Sequence, residues 1–447
     1  MKINAIEKEQ LYLINKVINY FKSLKKKNID LSKSSLCYIN TYSPTPGFGK
    51  ILIWLNEKFS KVKLIFYVIK SIIFISTLSN YKVYKPKIQS EFHKVIFTWA
   101  KKSSFHNGIF FDNFSNLSSK KISNTLFFVI YLDLVLPNKI PNNVICLYKK
   151  NLSYNFIYLF KVFLSKIKIL FYKPFSFIHY FSYQTILAEI INKYFLENVN
   201  LAKVEKVIMP YEGQPFQNFI FKNIKKIKNN IETIGFVHSM MPALPLNFIK
   251  REGAPDKIYV SGLAQRDILS KYFSWKKKNI FICQSIRIKK KLYKNQLQSF
   301  YFPIKIFGLN KIYSSINRYL NFSQKKSLPF LKIKKHPQTM DAFDQILLLK
   351  KIKFLYSRYR EKFSKKIKKK ISFFLGATSS FLQFIESDLE SVHFTTMPTL
   401  DVYTRNLWKF IIPYEIDDYT YKYNLLKKKK IIKLSNSFYN LKKANII

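Results

Sequence analysis

The chain has 447 residues, 48% of them hydrophobic, which is long enough for two cored domains and too apolar for a disordered protein. Its formal net charge is +52, yet only seven of its 77 basic residues are arginine. It is also rich in Ile, Asn, Phe and Tyr and poor in Gly and Ala, a profile that A+T-biased coding produces, so lysine is expected over every exposed face. Nucleic acid is not expected as the partner, because its binders cluster arginine for bidentate contacts. An electrostatic hold on an anionic inner leaflet fits better, at about 1 kcal/mol per lysine near the surface. Cys37, Cys146 and Cys283 are too few and too scattered for a disulfide framework or a metal cluster, and a reducing, cytoplasmic setting is expected.

In chain order, Met1 to Asn19 reads as an amphipathic helix and not as a secretory signal. Ser35 to Asn40 reads as a first strand. The loop Tyr42 to Lys50 lacks the glycine spacing and Lys-Ser/Thr ending of a phosphate loop. A helical stretch is expected from Lys50 to Ser79. Its most apolar part, Val62 to Leu78, is interrupted by Lys63 and Lys70 and reads as buried or interfacial, not as a membrane span. Val95 to Trp99 is a buried strand. Phe105 to Asp112 is expected as a loop with polar groups between aromatics, suited to an acceptor sugar or simply structural. Leu126 to Leu132 and Val144 to Tyr148 are further strands. Tyr154 to Tyr183 is dense in Phe, Tyr, Ile and Leu with lysines at intervals. It reads as a helical pair under a lid, a membrane-surface contact, or solvated lysines over a core. A helix from Tyr183 to Asn198 follows.

The stretch Lys206 to Gln217 is the most informative. An apolar, β-branched run ends at Pro210, Glu212 follows, Gly213 makes the exit, and a helix runs from about Phe216 to Lys228. Thr233 to Ser239 repeats the pattern and ends at His238. In open α/β sheets ligands sit at the strand ends. An acid and a histidine on two adjacent ends therefore mark a site, although an N-cap or solvated carboxylate would give the same Glu212. Asp256 to Gly262 ends one more strand.

The charge-rich Lys271 to Lys278 is expected as a boundary. Beyond it, Asn279–Cys283, Pro303–Leu309, Phe330–Lys334, Ser372–Leu375, Val392–Phe394 and Phe410–Ile412 read as strands with helices between them. Alternation of this kind predicts a parallel sheet in each half. The expected domains are 1–270, 271–418 and a basic helical tail, 419–447. In the second half a strand ends in Lys335-His336-Pro337, where the proline keeps the backbone extended and holds the imidazole at the sheet edge. Gly376-Ala377-Thr378-Ser379-Ser380 is a small-residue turn between strand and helix, which suits an anion; plain N-capping by serine is the alternative.

At these residues the sequence resembles bacterial surface-carbohydrate biosynthesis proteins of GT-B architecture, through Tyr211-Glu212-Gly213-Gln214-Pro215, Gly235 to Ser239 and Asp256 to Gly262. More remotely it is similar to bacterial sialyltransferases and polysialyltransferases. Those carry an acidic-acidic-glycine motif, a His-Pro motif and a Ser-Ser motif in that order, here Tyr211-Glu212-Gly213, His336-Pro337 and Ser379-Ser380. Tyr211 stands where that family has its first acid. The resemblance spans roughly residues 200 to 400. It implies an α/β fold of two Rossmann-type domains whose parallel sheets face a central cleft. It implies a metal-independent, inverting glycosyltransferase using a nucleotide sugar, CMP-linked in that family, with no further cofactor. Glu212 would be the base. Lys335, His336, Pro337, Gly376, Thr378, Ser379 and Ser380 would hold the donor. Tyr211, Gly213, Gln214, His238 and Ser239 would line the cleft, with His238 oriented to acceptor or donor. The acceptor would be a lipid-linked or surface glycan, and the enzyme cytoplasmic and peripheral on the inner membrane. The rival expectations are a non-catalytic basic protein binding membrane or nucleic acid, and an enzyme of the same fold with another donor, such as an epimerase or a glycerol-phosphate transferase.

Overall fold

The computed structural model describes residues 2–37, 69–87, 91–122, 124–172, 177–286, 299–303, 309–322, 328–329, 331–334, 343–360, 363–364, 371–376, 378, 380–426, 431, 440–444 and 446–447. The loop 42–50, the first part of the expected helix 50–79, and Lys335, His336, Pro337, Ala377 and Ser379 lie outside the described residues. The fold is mixed α/β with two parallel-rich sheets.

The first sheet contains β1 (Tyr81–Tyr84), β2 (Lys94–Ala100), β3 (Thr125–Tyr131), β4 (Val144–Lys149), β5 (Lys206–Pro210), β6 (Glu232–Phe236), β7 (Lys257–Val260) and β8 (Ile280–Ile282). Their order is β1-β4-β3-β2-β5-β6-β7-β8, parallel throughout except for β1 on β4. All of β3 and most of β2 are buried, as strands covered on both faces must be, and this is why they read as unbroken apolar runs. From β2 the chain winds outward through β3 and β4. It then returns beside β2 as β5 and winds the other way. The reversal lies between β2 and β5, and in open sheets of this kind such a reversal is where ligands bind, outside the carboxyl ends of the strands.

The second sheet contains β9 (Ser299–Tyr301), β10 (Lys332–Lys334), β11 (Ile371–Leu375), β12 (Glu390–Phe394), β13 (Ile411–Asp417) and β14 (Thr420–Leu425), in the order β10-β9-β11-β12-β14-β13. The first four are parallel, and β13 and β14 close the edge antiparallel. Neither sheet is therefore wholly parallel. In the second sheet connection length decides this, because a hairpin as short as 418–419 can join only antiparallel strands.

The helices used below are α1 (Ile3–Lys26), α2 (Phe156–Tyr172), α3 (Phe177–Tyr180), α4 (Tyr183–Asn198), α5 (Pro215–Ile227) and α6 (Phe381–Glu386). Helix α1 buries Ile6, Leu13, Ile14, Val17, Phe21 and Leu24 at helical spacing, with Gln10 in the same stripe. Gln10 is tolerated there because its amide donates to the carbonyls of Thr399 (2.9 Å) and Val402 (2.8 Å) and accepts from Thr404 (2.6 Å). The N-terminal helix is thus fastened to the C-terminal half. Conversely, Leu441 and Ile446 pack into the cluster of Phe105, Phe110 and Phe127 on the first sheet. The largest core contains residues of both sheets: Tyr403 donates to Met241 O (2.9 Å) and Trp408 to Ala243 O (2.9 Å).

Several expectations are corrected. Ser35–Cys37 is a 3-10 turn, not the start of a strand, because Ser35 is tied to Thr185 and Ser182 by hydrogen bonds of 3.0 and 2.7 Å and follows no sheet neighbour. The strand at 279–283 belongs to the first sheet, pairing with β7 beyond the charged stretch that reads as a boundary. Of the strand expected at Pro303–Leu309, residues 304–308 lie outside the described residues; Pro303 lies past the end of β9 at Tyr301, and Leu309 begins a helix. The tail is not helical from Tyr419, since Thr420–Leu425 is a strand whose alternating Tyr421 and Tyr423 are buried. Phe105–Asp112 is a tight hairpin with Asn107 and Gly108 at positive φ, its Phe105 and Phe110 rings in the core.

Candidate functional site

The ends of β2, β5 and β6 bring Glu212, His238, Phe114 and Trp99 together. Glu212 leaves β5 two residues past its end, and His238 leaves β6 at the equivalent place, so adjacent parallel strands bring the pair together. Glu212 Oε1 and His238 Nε2 are 3.4 Å apart. The carboxylate is 33% exposed and the imidazole 5%, so the acid reaches solvent and the histidine backs it. The other carboxylate oxygen accepts from Gln214 Nε2 at 2.8 Å.

The backbone carrying Glu212 is held on every side. Gln217 Oε1 accepts from the amides of Glu212 (3.0 Å) and Gln214 (2.9 Å), while its Nε2 donates to Pro210 O. Gln214 and Gln217 also form the capping box that starts α5, with Pro215 in its first turn. Asn247 donates to the Glu212 carbonyl at 2.6 Å, and Arg251 to those of Gly213 and Cys37. Asn218, with its amide oxygen towards Arg251, accepts from Nε (3.0 Å) and Nη2 (2.9 Å) and donates to the Tyr211 hydroxyl (2.8 Å). Gly213 has φ +68°, and a Cβ on it would lie 2.1 Å from the Asn247 carbonyl oxygen. No other residue fits this exit.

The hairpin after β2 delivers Phe114 to the His238 ring. Asp112 organises that turn from within. It is fully buried, and it accepts from Thr98 Oγ1 (2.7 Å), Phe114 N (3.1 Å) and both polar groups of Ser115. Burial pushes its carboxyl above the usual range, against the opposing pull of those hydrogen bonds. The turn sets the Phe114 ring edge-on to His238, centroids 4.8 Å apart, and 5.5 Å from half-buried Trp99. The site therefore has a part-exposed carboxylate with a histidine behind it, and aromatic rings packed against that histidine.

The structure brings Glu212, Gln214 and His238 together, with half-buried Ser239 following. Tyr211 does not join them. It is 1% exposed, packed against Phe221, Phe248 and Trp275, because the strand alternates and turns it to the opposite face. Gly213 contributes shape only. Asn247, Arg251, Gln217, Phe114 and Asp112 were not singled out as site residues by sequence. Arg251 carried the one usable signal, as a rare arginine in a lysine-rich chain.

In the second sheet, β11 ends at Leu375 and turns at Gly376, whose amide donates to Phe394 O at 2.6 Å. The Gly376 carbonyl is contacted by buried His393 Nε2 at 2.7 Å, and His393 Nδ1 by the Tyr423 hydroxyl at 2.9 Å. Burial lowers the His393 pKa to about 4, so it is neutral and donates from Nε2 to the carbonyl. Thr378 is half-buried and Ser380 exposed, at the start of α6. With six residues, α6 adds little dipole. The two sheet ends are linked by packing: Phe381, next to Ser380, stands edge-on to Tyr403 at 4.5 Å, and Tyr403 bonds Met241, three residues past His238.

Among the described residues, no group of three or more His, Cys, Asp or Glu is arranged to hold a metal ion. No protein-family model and no curated protein matches the sequence.

Proposed function

We propose that this chain is a glycosyltransferase of cell-surface polysaccharide biosynthesis (capsule, O-antigen or lipopolysaccharide), with a GT-B-like arrangement of two Rossmann-type domains. It takes a sugar from a nucleotide donor, CMP-linked by its resemblance, to a lipid-linked or surface glycan. The observation that carries this reading is the Glu212–His238 pair beside the strand-order reversal, a part-exposed carboxylate backed by a buried imidazole on which Phe114 stands edge-on, next to Trp99. A base must be held and still be reachable, and here Gln214 and His238 hold one oxygen each. Glu212 takes the proton of the acceptor hydroxyl as that oxygen bonds to the anomeric carbon. The bond from that carbon to the donor phosphate breaks, and the nucleotide leaves with the electron pair. His336 and the 376–380 turn receive the phosphate charge in this reading. The aromatic rings suit the apolar face of a sugar ring. The enzyme works at the cytoplasmic side of the inner membrane, peripheral to it.

A thermal-shift screen of CMP, CDP, UDP and GDP tests the donor half. One nucleotide is expected to raise the unfolding midpoint, and Ser380→Ala to weaken that effect. No shift with any of the four contradicts the reading.

A further inference from the structure

We propose that helix α2, Phe156–Tyr172, docks on an anionic lipid surface, lying in its plane. Its sequence is apolar nearly all round, and a helix of that kind normally sinks into a core. Here none of its residues is buried. Its inner side leans on the turn at 76–80 and on α3, with Asn155 N bonded to Ser76 O at 3.1 Å. Its outer side presents Ile157 (72% exposed), Phe160 (60%), Leu164 (46%) and Phe171 (76%). Those positions recur at helical spacing and form one stripe. Leu152 and Tyr154, just before the helix, and Phe156 and Tyr172, its first and last residues, are exposed as well. Exposed apolar area of this extent marks a contact surface.

Charge selects the occupant. From Leu134 to Ala188 the sequence contains no Asp or Glu. Exposed Lys161 and Lys168 sit beside the stripe, where their long stems reach the headgroup level. Lys166 is already taken by Glu189, at 2.9 Å, and is not counted. The helical residues 69–75, which lead into the turn under α2, expose Ile69 and Ile73 with Lys70 between them. An apolar stripe edged by lysine and devoid of acid matches an anionic bilayer, where buried apolar area and lysine attraction act together. No helix among the described residues is long and apolar enough to cross a membrane, and docking does not require one.

The test is sedimentation of the full chain with vesicles of phosphatidylcholine, with or without phosphatidylglycerol. The diffuse lysine excess alone would give some binding to the anionic vesicles, so the deciding variant keeps the charge: Phe160→Ser, Leu164→Ser and Phe171→Ser together. Binding to anionic vesicles is expected to fall about tenfold or more, with circular dichroism unchanged because all three side chains are exposed. Lys161→Gln with Lys168→Gln is expected to weaken binding and to reduce its salt dependence. Wild-type binding by the folded triple-serine variant overturns the proposal. So does a dimer in lipid-free solution that the same substitutions dissociate, since the stripe would then be covered by a second copy of the chain.

Discussion

Gly213 and Arg251 show how much of the site is backbone engineering around one carboxylate. Gly213→Ala puts a methyl group into the Asn247 carbonyl at a positive φ, and several kcal/mol of destabilisation is expected. Arg251→Met removes the donors that hold Gly213 O and Cys37 O while keeping bulk. Its thermal unfolding midpoint should drop, with a loss of about 2–4 kcal/mol for buried carbonyls left unpaired. Chemical denaturation of both variants checks this, and wild-type stability in either contradicts the packing described. His393 and His179 make a pH prediction. Burial lowers both to about 4, from an ordinary value near 6.5. The unfolded chain therefore binds more protons between those values, and stability rises with pH. The contribution is complete above about 6.5 and is lost as pH falls towards 4. His393→Gln should flatten the stability profile in that window; an unchanged slope rules the histidine out as a source.

At the scale of elements, the parallel core strands were legible because burial on both faces leaves nearly continuous apolar runs, as in Val95 to Trp99 and Leu126 to Leu132. Helix α4 was legible to its ends, and α5 nearly so, because Pro215 and the Gln214–Gln217 cap announce its start. The misplaced elements were governed by partners far along the chain. Ile280–Ile282 joins the first sheet because β7 offers it an edge, which charge composition at Lys271 to Lys278 does not reveal. Glu212 and His238 could be found by sequence, since each ends an apolar run. Phe114 could not, because only the turn around Asp112 carries it to the imidazole. The turn after β11 carries its own prediction. Thr378→Ala and Ser380→Ala should each weaken nucleotide binding by about 1.5–3 kcal/mol if their hydroxyls meet donor phosphate. Titration calorimetry reads this directly, and unchanged affinity in folded variants removes the turn from the donor site.

For the molecule as a whole, both termini cross between the halves: Gln10 bonds Val402 and Thr404, and Leu441 and Ile446 return to the first sheet. The two sheets share one core through Tyr403 and Trp408, so they should unfold together. Trp408→Ala should cost about 3–5 kcal/mol and lower the protection of amides in β5 and β6 as well as in β11. Hydrogen exchange confined to the second half would contradict that coupling. The same junction runs from Met241, three residues past His238, through Tyr403 to Phe381 at the turn after β11. The most direct test of Glu212 as the base is Glu212→Gln, assayed for sugar transfer and for nucleotide binding on the same sample. The substitution keeps the side chain's shape and leaves one oxygen to accept from Gln214 or His238, but removes the proton acceptor. A fall in rate of about 100- to 10,000-fold is expected, with nucleotide affinity unchanged. A folded variant that transfers sugar at the wild-type rate would contradict that role.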